Sequence, residues 1–272
     1  MGKRFAWRRV AFAFSLVLYS LVFTSCGTGD LTNSGTGAGN PGSGATVSLQ
    51  VEGVQLTNTN ALVLSSGVEI TTAQIVLSQI EFRTVEECQN GSSGGSSQVD
   101  LEGPYVIDLL NNTSSPSLDN INLKEGLYCR IELRLDKLED NELPNNIDIT
   151  DPIVSHSIYI EGKTGEGISF TAVLEIDDDF RLQNQSTGFN ISNGDLLFVI
   201  FNLNTWFQGI NFSDATVSGG EIQINKDENE TIQQTLVSNI KLSSNLLRDE
   251  NNNGELDSSE ENLNNNDLAE GD

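Results

Sequence analysis

Between residues 46 and 224 apolar residues recur with period two or in short unbroken runs. That pattern constrains the fold most, because strand side chains alternate between faces and such a chain is committed to β-structure. Leu127, Cys129, Ile131, Leu133 and Leu135 fall on one face of a strand, and Tyr128, Arg130, Glu132 and Arg134 on the other. This is the mark of a half-buried antiparallel strand with one wetted side. Leu196 to Phe201 is apolar without a break, which suits a central strand covered on both faces. Val68 to Arg83 is rich in Val, Ile, Thr and Phe and predicts one or two strands. Thr46 to Val51 and Tyr105 to Leu110 read as further strands, and Gln89 to Ser97 as a Gly/Ser loop. Ser157 to Gly162 and Ile168 to Ile176 read as a hairpin turning around Gly162-Lys163-Thr164-Gly165. Many short strands with turn residues between them, and no repeat of roughly 20–50 residues, predict an antiparallel β-sandwich over 46–229.

The two ends of the chain differ from this body. Met1 to Arg9 is basic, Val10 to Phe23 is apolar, and Thr24-Ser25-Cys26 follows. The apolar run is short for a membrane span and fits a cleaved signal peptide over 1–25. Leu21-Val22-Phe23-Thr24-Ser25-Cys26 resembles a bacterial lipobox, with Phe23 where the motif prefers Leu, Val or Ile. The resemblance implies that Cys26 is acylated and becomes the new N-terminus. Gly27 in place of Asp after the cysteine implies export to the outer membrane. The alternative is an ordinary signal peptide with an incidental cysteine. Residues 26–45 are dominated by Gly, Ser, Thr and Asn and predict a flexible tether between lipid and domain.

Charge narrows the partners. There are 39 acids against 14 bases, a net of −25, and four of the bases (Lys3, Arg4, Arg8, Arg9) lie in the signal region. Without those four the balance is 10 − 39 = −29. So acidic a chain repels phosphate backbones, which argues against nucleic-acid binding. After Cys26 two cysteines remain, Cys88 and Cys129. In an exported chain an even pair favours a disulfide over two buried thiols.

Near residue 230 the period changes. Ile232, Leu236, Ile240, Ser243 and Leu247 recur at helical spacing, so 230–247 predicts an amphipathic helix. It leads into Asp249-Glu250-Asn251-Asn252-Asn253-Gly254-Glu255-Leu256-Asp257-Ser258-Ser259-Glu260. This stretch matches D-x-[DN]-x-[DN]-G-x₅-E at every position and resembles an EF-hand calcium loop. Ca²⁺ needs roughly six to eight oxygen ligands around a tight bend. The resemblance implies side-chain donors at Asp249, Asn251, Asn253, Asp257 and Glu260, the carbonyl of Glu255, and a sharp turn at Gly254. The alternative is a solvated acidic tail, since 249–272 holds nine acids, seven asparagines and no basic residue. No second loop accompanies the first. The C-terminal segment 230–272 is thus expected to be a helix, a calcium loop and an acidic tail.

Tyr105 to Leu110, Leu123 to Leu133 and Phe201 to Phe207 together resemble a group of bacterial lipoproteins with a β-rich domain of unknown function. That resemblance implies an anchored β-sandwich and carries over no catalytic residue. Other candidates read more plainly. His156, beside Ser155 and Ser157, lacks a sequence signal for the orienting group and oxyanion site that a nucleophilic pair needs. Asp177-Asp178-Asp179 reads as a solvated turn rather than a second cation site or an acid/base pair. Trp206-Phe207 reads as a buried anchor, the alternative being a sugar-stacking platform. The expectation is a non-enzymatic, calcium-binding outer-membrane lipoprotein with a structural ion and an unidentified protein or glycan ligand. The alternative is a surface adhesin or carbohydrate-binding module.

Overall fold

The computed structural model describes residues 44–54, 62–90, 99–184, 187–256, 260 and 267–271. The expected signal peptide, Cys26, the tether before residue 44 and Asp257 lie outside the described residues. Everything described belongs to one compact unit, Pro41–Asp272. Its first strands are β1 (Gly44–Val54), β2 (Leu62–Val63), β3 (Glu69–Thr84), β4 (Val99–Asp108) and β5 (Thr113–Ser115). Next come β6 (Ile121–Lys124), β7 (Gly126–Leu135), β8 (Ile158–Lys163), β9 (Ser169–Leu174) and β10 (Asp178–Gln183). The last are β11 (Phe189–Ile191), β12 (Leu196–Asn202), β13 (Glu221–Ile224), β14 (Ser244–Arg248) and β15 (Ala269–Gly271). Among the described residues three α-helices, α1 (Val85–Asn90), α2 (Leu203–Trp206) and α3 (Glu230–Lys241), and a 3-10 turn at Phe212–Asp214 punctuate them.

The β-rich class holds, but the arrangement departs from two antiparallel sheets packed face to face. One mixed sheet runs β13-β9-β8-β3-β7-β10-β15-β14-β12-β1-β6 and curls into a half-barrel. Two of its pairings, β1 with β12 and β13 with β9, are parallel. Long connections allow this, since parallel neighbours cannot be joined by a hairpin. The strand expected over 68–83 is a single one, β3, long enough to pair with β8 along its first half and β7 along its second. The predicted hairpin is present as β8 and β9. Gly162 is needed there: a Cβ would stand 2.2 Å from the Glu69 carbonyl and 2.8 Å from the Phe170 ring.

The inner face carries the main core, drawn from nearly every strand and from α3. The outer face has two smaller apolar patches, and each is covered. Val76, Val106 and Tyr159 lie under Leu138 and Ile153 of the β7–β8 connection. Phe198, Ile200 and Leu247 lie under Leu256, with Leu196 beside them on β12. β12 is therefore apolar on both sides for the reason its sequence implies.

Two local expectations are corrected. The alternation read along 127–135 holds from Arg130 onward and inverts before it. Tyr128 is buried against Phe82 and Phe189, whereas Leu127 is exposed. A register shift between Arg83 and Thr84 pairs Arg83 with Arg130 and Thr84 with Tyr128, skipping Cys129; one extra residue flips every side chain that precedes it. The helix expected over 230–247 ends at Lys241. Ser243 turns back, donating its hydroxyl to the Ile240 carbonyl at 2.6 Å and accepting the Trp206 indole N–H at 2.7 Å. From Ser244 the chain pairs with β12, with Leu246 inward and Leu247 outward. Consecutive leucines satisfy a helix stripe and a doubly buried strand alike, and the strand prevails.

Candidate functional site

The sequence-derived candidate, 249–260, hangs between β14 and β15. It is entered from a strand and not from the helix that an EF-hand uses. Within it, Asp249 is 5% exposed and Glu260 2%. Asp249 accepts the Gly254 N–H at 2.7 Å through one oxygen and the Asn253 N–H at 3.2 Å through the other. Glu260 accepts the N–H groups of Glu250 and Asn251 at 2.9 and 3.3 Å. The side-chain oxygen of Asn251 takes the Asn253 N–H, and that of Asn253 takes the Glu255 N–H. Gly254 sits at φ +81°, where a side chain would strain the bend. The motif's two end carboxylates are thus brought together with Asn251 and Asn253 by backbone donors. Among the described residues no three His, Cys, Asp or Glu side chains gather closely enough to hold a metal; the amide and carbonyl oxygens in the motif lie outside that grouping, as does Asp257. Leu256 packs onto Phe198, Ile200 and Leu247, fixing the loop to the sheet.

What the loop connects matters more than its length. β15 has three residues, yet along the sheet it alone stands between β10 and β14. It pairs Leu182 with Gly271 on one side and Leu246 with Ala269 on the other. Side chains reinforce this seam: Asn184 donates to the Leu268 carbonyl and Asn245 to the Asp267 carboxylate, both at 3.0 Å. Burial pushes the Asp267 carboxyl up to about 6, the Asn245 hydrogen bond opposing and Glu270 adding repulsion.

A second site was not singled out from the sequence. On the outer face, between the two covered patches, β3, β7 and β10 form the floor of an open groove of about 880 Å³. Register builds it in rows. Arg134 stands between Gln79 and Asp179, Glu132 between Glu81 and Arg181, and Arg130 between Arg83 and Gln183. The Glu132 carboxylate meets the Arg181 Nε at 2.9 Å, an Arg130 Nη at 3.1 Å and the Arg83 Nε at 3.3 Å. Burial raises the Glu81 carboxyl against the pull of Arg83, and the hydrogen bond and charge of Glu132 raise it further.

The disulfide bounds one end of this groove. Cys88 and Cys129 are bonded, with Cα atoms 6.6 Å apart, and both line it. α1 presents Cys88 because Glu87 accepts the Thr84 N–H at 2.8 Å, the reciprocal half of a capping box. The signal in the sequence was the polar set Arg130, Glu132 and Arg134, which reads as an ordinary wetted face until its neighbours on β3 and β10 are known.

The remaining candidates disperse. The Ser157 hydroxyl donates to the Leu174 carbonyl at 2.8 Å and accepts the Ile176 N–H at 2.6 Å, so backbone occupies it. His156 sits in the connection that covers Val76 and Tyr159, and burial lowers its pKa against the nearby Glu175. Asp177 pairs with Arg134, and Asp178 with Lys241 at the end of α3. Trp206 is 0% exposed, packed edge-on against Phe201. No helix among the described residues is long and apolar enough to cross a membrane. No protein-family model matches the chain, and the comparisons with curated proteins and with solved structures found no match.

Proposed function

We propose that the chain is a bacterial envelope protein, anchored to the outer membrane through acylated Cys26, whose loop 249–260 takes up Ca²⁺ as a structural ion. The side chains of Asp249, Asn251, Asn253, Asp257 and Glu260 would hold it, with the Glu255 carbonyl. The observation that carries this reading is the burial of two carboxylates, Asp249 and Glu260, from opposite ends of one motif. Backbone N–H groups meet part of the cost of burying them, and in a chain of net charge −25 a bound cation would also offset the repulsion between them. The bound ion would supply two positive charges at that point.

The role differs from that of a paired EF-hand. No second loop accompanies it, and the element it would steady is β15 rather than a helix. With its ends held, the loop delivers 267–271 to the gap between β10 and β14, and the sheet runs on through them. The ion's work would be to complete the half-barrel. A sugar-stacking reading finds no support at Trp206, whose indole is buried.

Calcium melting curves test the proposal. For a site binding at around 10⁻⁴–10⁻³ M, about 10 mM Ca²⁺ stabilises by about 1.4–2.7 kcal/mol, or roughly 3–6 °C in Tm for a domain of this size. Asp249→Ala and Glu260→Ala should each abolish the rise. A wild-type Tm that stays put, or variants that keep the rise, would refute the loop as the site.

A further inference from the structure

The groove over β3, β7 and β10 is built as a recognition surface. After Cys26 the chain has five arginines, Arg83, Arg130, Arg134, Arg181 and Arg248, and the first four line this groove, while among the described residues no lysine does. In so acidic a protein the rest of the surface repels anions, and this is where guanidinium groups collect. The two inner rows break the usual rule of sheet pairing. Glu81 lies directly opposite Glu132, and Arg83 directly opposite Arg130, whereas like charges directly opposite one another destabilise a sheet. Diagonal and same-strand contacts compensate in part: Arg83 reaches Glu81 and Glu132, and Arg130 reaches Glu132. Exchanging Glu81 with Arg83 along β3 would place unlike charges opposite one another in both rows, so sheet pairing does not require the arrangement found. Local conflicts of this kind mark functional surfaces.

Donors also outnumber acceptors. Four guanidiniums, those of Arg83, Arg130, Arg134 and Arg181, carry about twenty N–H donors, against about sixteen lone-pair sites on the carboxylates of Glu81, Glu87, Glu132 and Asp179, so the formal charges balance and the surplus is of donors. The Nε of Arg130 is buried and donates to no partner. Arg181 is half exposed, so its outer edge faces the open groove. Among the described residues no Phe, Tyr or Trp lines the space, so hydrogen bonding and charge are the modes of recognition this lining offers. The volume is that of a site for a small molecule or a few sugar units, and apolar patches of the outer face lie on either side of it.

We propose that this groove binds an oxyanion, a carboxylate or phosphate group carried by a small polar molecule, with Arg130, Arg181 and Arg83 as its donors. Planar guanidinium forks fit both groups bidentately. Glu132 holds the three arginines in position and is a positioning residue. The amide of Gln79 at the groove floor suits a hydroxyl on the remainder of such a ligand.

The test is a calorimetric titration of the full chain in detergent, stripped of divalent ions on a chelating resin and held in a buffer free of carboxylate and phosphate, with three probes. These are inorganic phosphate, a galacturonate trimer and a neutral maltose-series trimer. Wild type should bind phosphate, the galacturonate trimer or both at millimolar concentration or below, and the neutral trimer not at all; which anion binds more tightly separates a phosphate-bearing from a carboxylate-bearing ligand. Arg181→Gln should weaken that binding at least about tenfold with an unchanged Tm, because the residue is half exposed. Arg248→Gln, away from the groove, should leave it intact. Absence of anion binding by wild type, equal binding by Arg181→Gln, or equal binding of the neutral trimer would overturn the proposal. None of these outcomes depends on calcium.

Discussion

Asp267 offers the most quantitative check on the seam. It stands where the chain re-enters the sheet, two residues before β15, and accepts the Asn245 amide at 3.0 Å through one oxygen. Its other oxygen is buried and accepts no hydrogen bond. Burial raises the folded-state pKa to about 6 from an ordinary value of 3.8. A carboxyl whose pKa rises on folding binds its proton more tightly in the native state. Stability is then fully present below about pH 4 and falls as pH climbs through about 6. A shift of about two units corresponds to about 3 kcal/mol, and water on the open side of the group reduces this to about 1–2 kcal/mol. Asp267→Asn keeps an acceptor for Asn245 and never ionises. The variant and wild type should therefore unfold alike at about pH 4, and the variant should be more stable by about 1–2 kcal/mol at about pH 7.5. Urea denaturation at fixed calcium across that range measures the difference directly, since the other carboxylates titrate in both proteins. A gap that does not grow with pH, or a variant less stable than wild type at neutral pH, would refute the reasoning.

Two further outcomes follow from packing. Cys88→Ser opens a loop of 41 residues, which should lower stability by about 3–4 kcal/mol in the chain-entropy account; reduction with dithiothreitol should reproduce it, and an unaltered denaturation midpoint would contradict it. Trp206→Phe removes the indole N–H that Ser243 accepts at 2.7 Å and leaves a void, at a cost of about 2–3 kcal/mol. A chain beginning at Cys26 has Trp206 as its single tryptophan, so its emission should be blue-shifted and indifferent to added glycans; quenching by glycans would contradict the packing.

The fold's class was legible because strand periodicity is a local property. β12 could be recognised as a doubly covered strand from Leu196–Phe201 alone, and β8–β9 as a hairpin from its turn. The sheet's continuity was not legible, since pairing partners are set by long-range register: β1 finds β12 about 150 residues away. Tyr128 was assigned to the wrong face because one bulged residue, Cys129, inverts the alternation without leaving a compositional trace. Leu246-Leu247 misled the helix boundary for a related reason: the pair fits either period, and only the Ser243 hydroxyl's turn onto Ile240 separates them. The candidate sites divide the same way. The loop is contiguous in sequence and could be read by spacing. The groove is assembled from three strands, and Arg130 acquires its meaning only when Arg83 and Arg181 are placed beside it.

The central claim is that an ion in the loop 249–260 holds β15 in the gap between β10 and β14. Amide hydrogen exchange of Ala269, Glu270 and Gly271 tests it most directly, because these amides open whenever the seam does. Millimolar Ca²⁺ should slow their exchange relative to EGTA, together with that of Leu182 and Gln183 across the pairing, while the remote strands β8 and β9 change little. Identical rates at Ala269 to Gly271 with calcium and with EGTA would contradict the account.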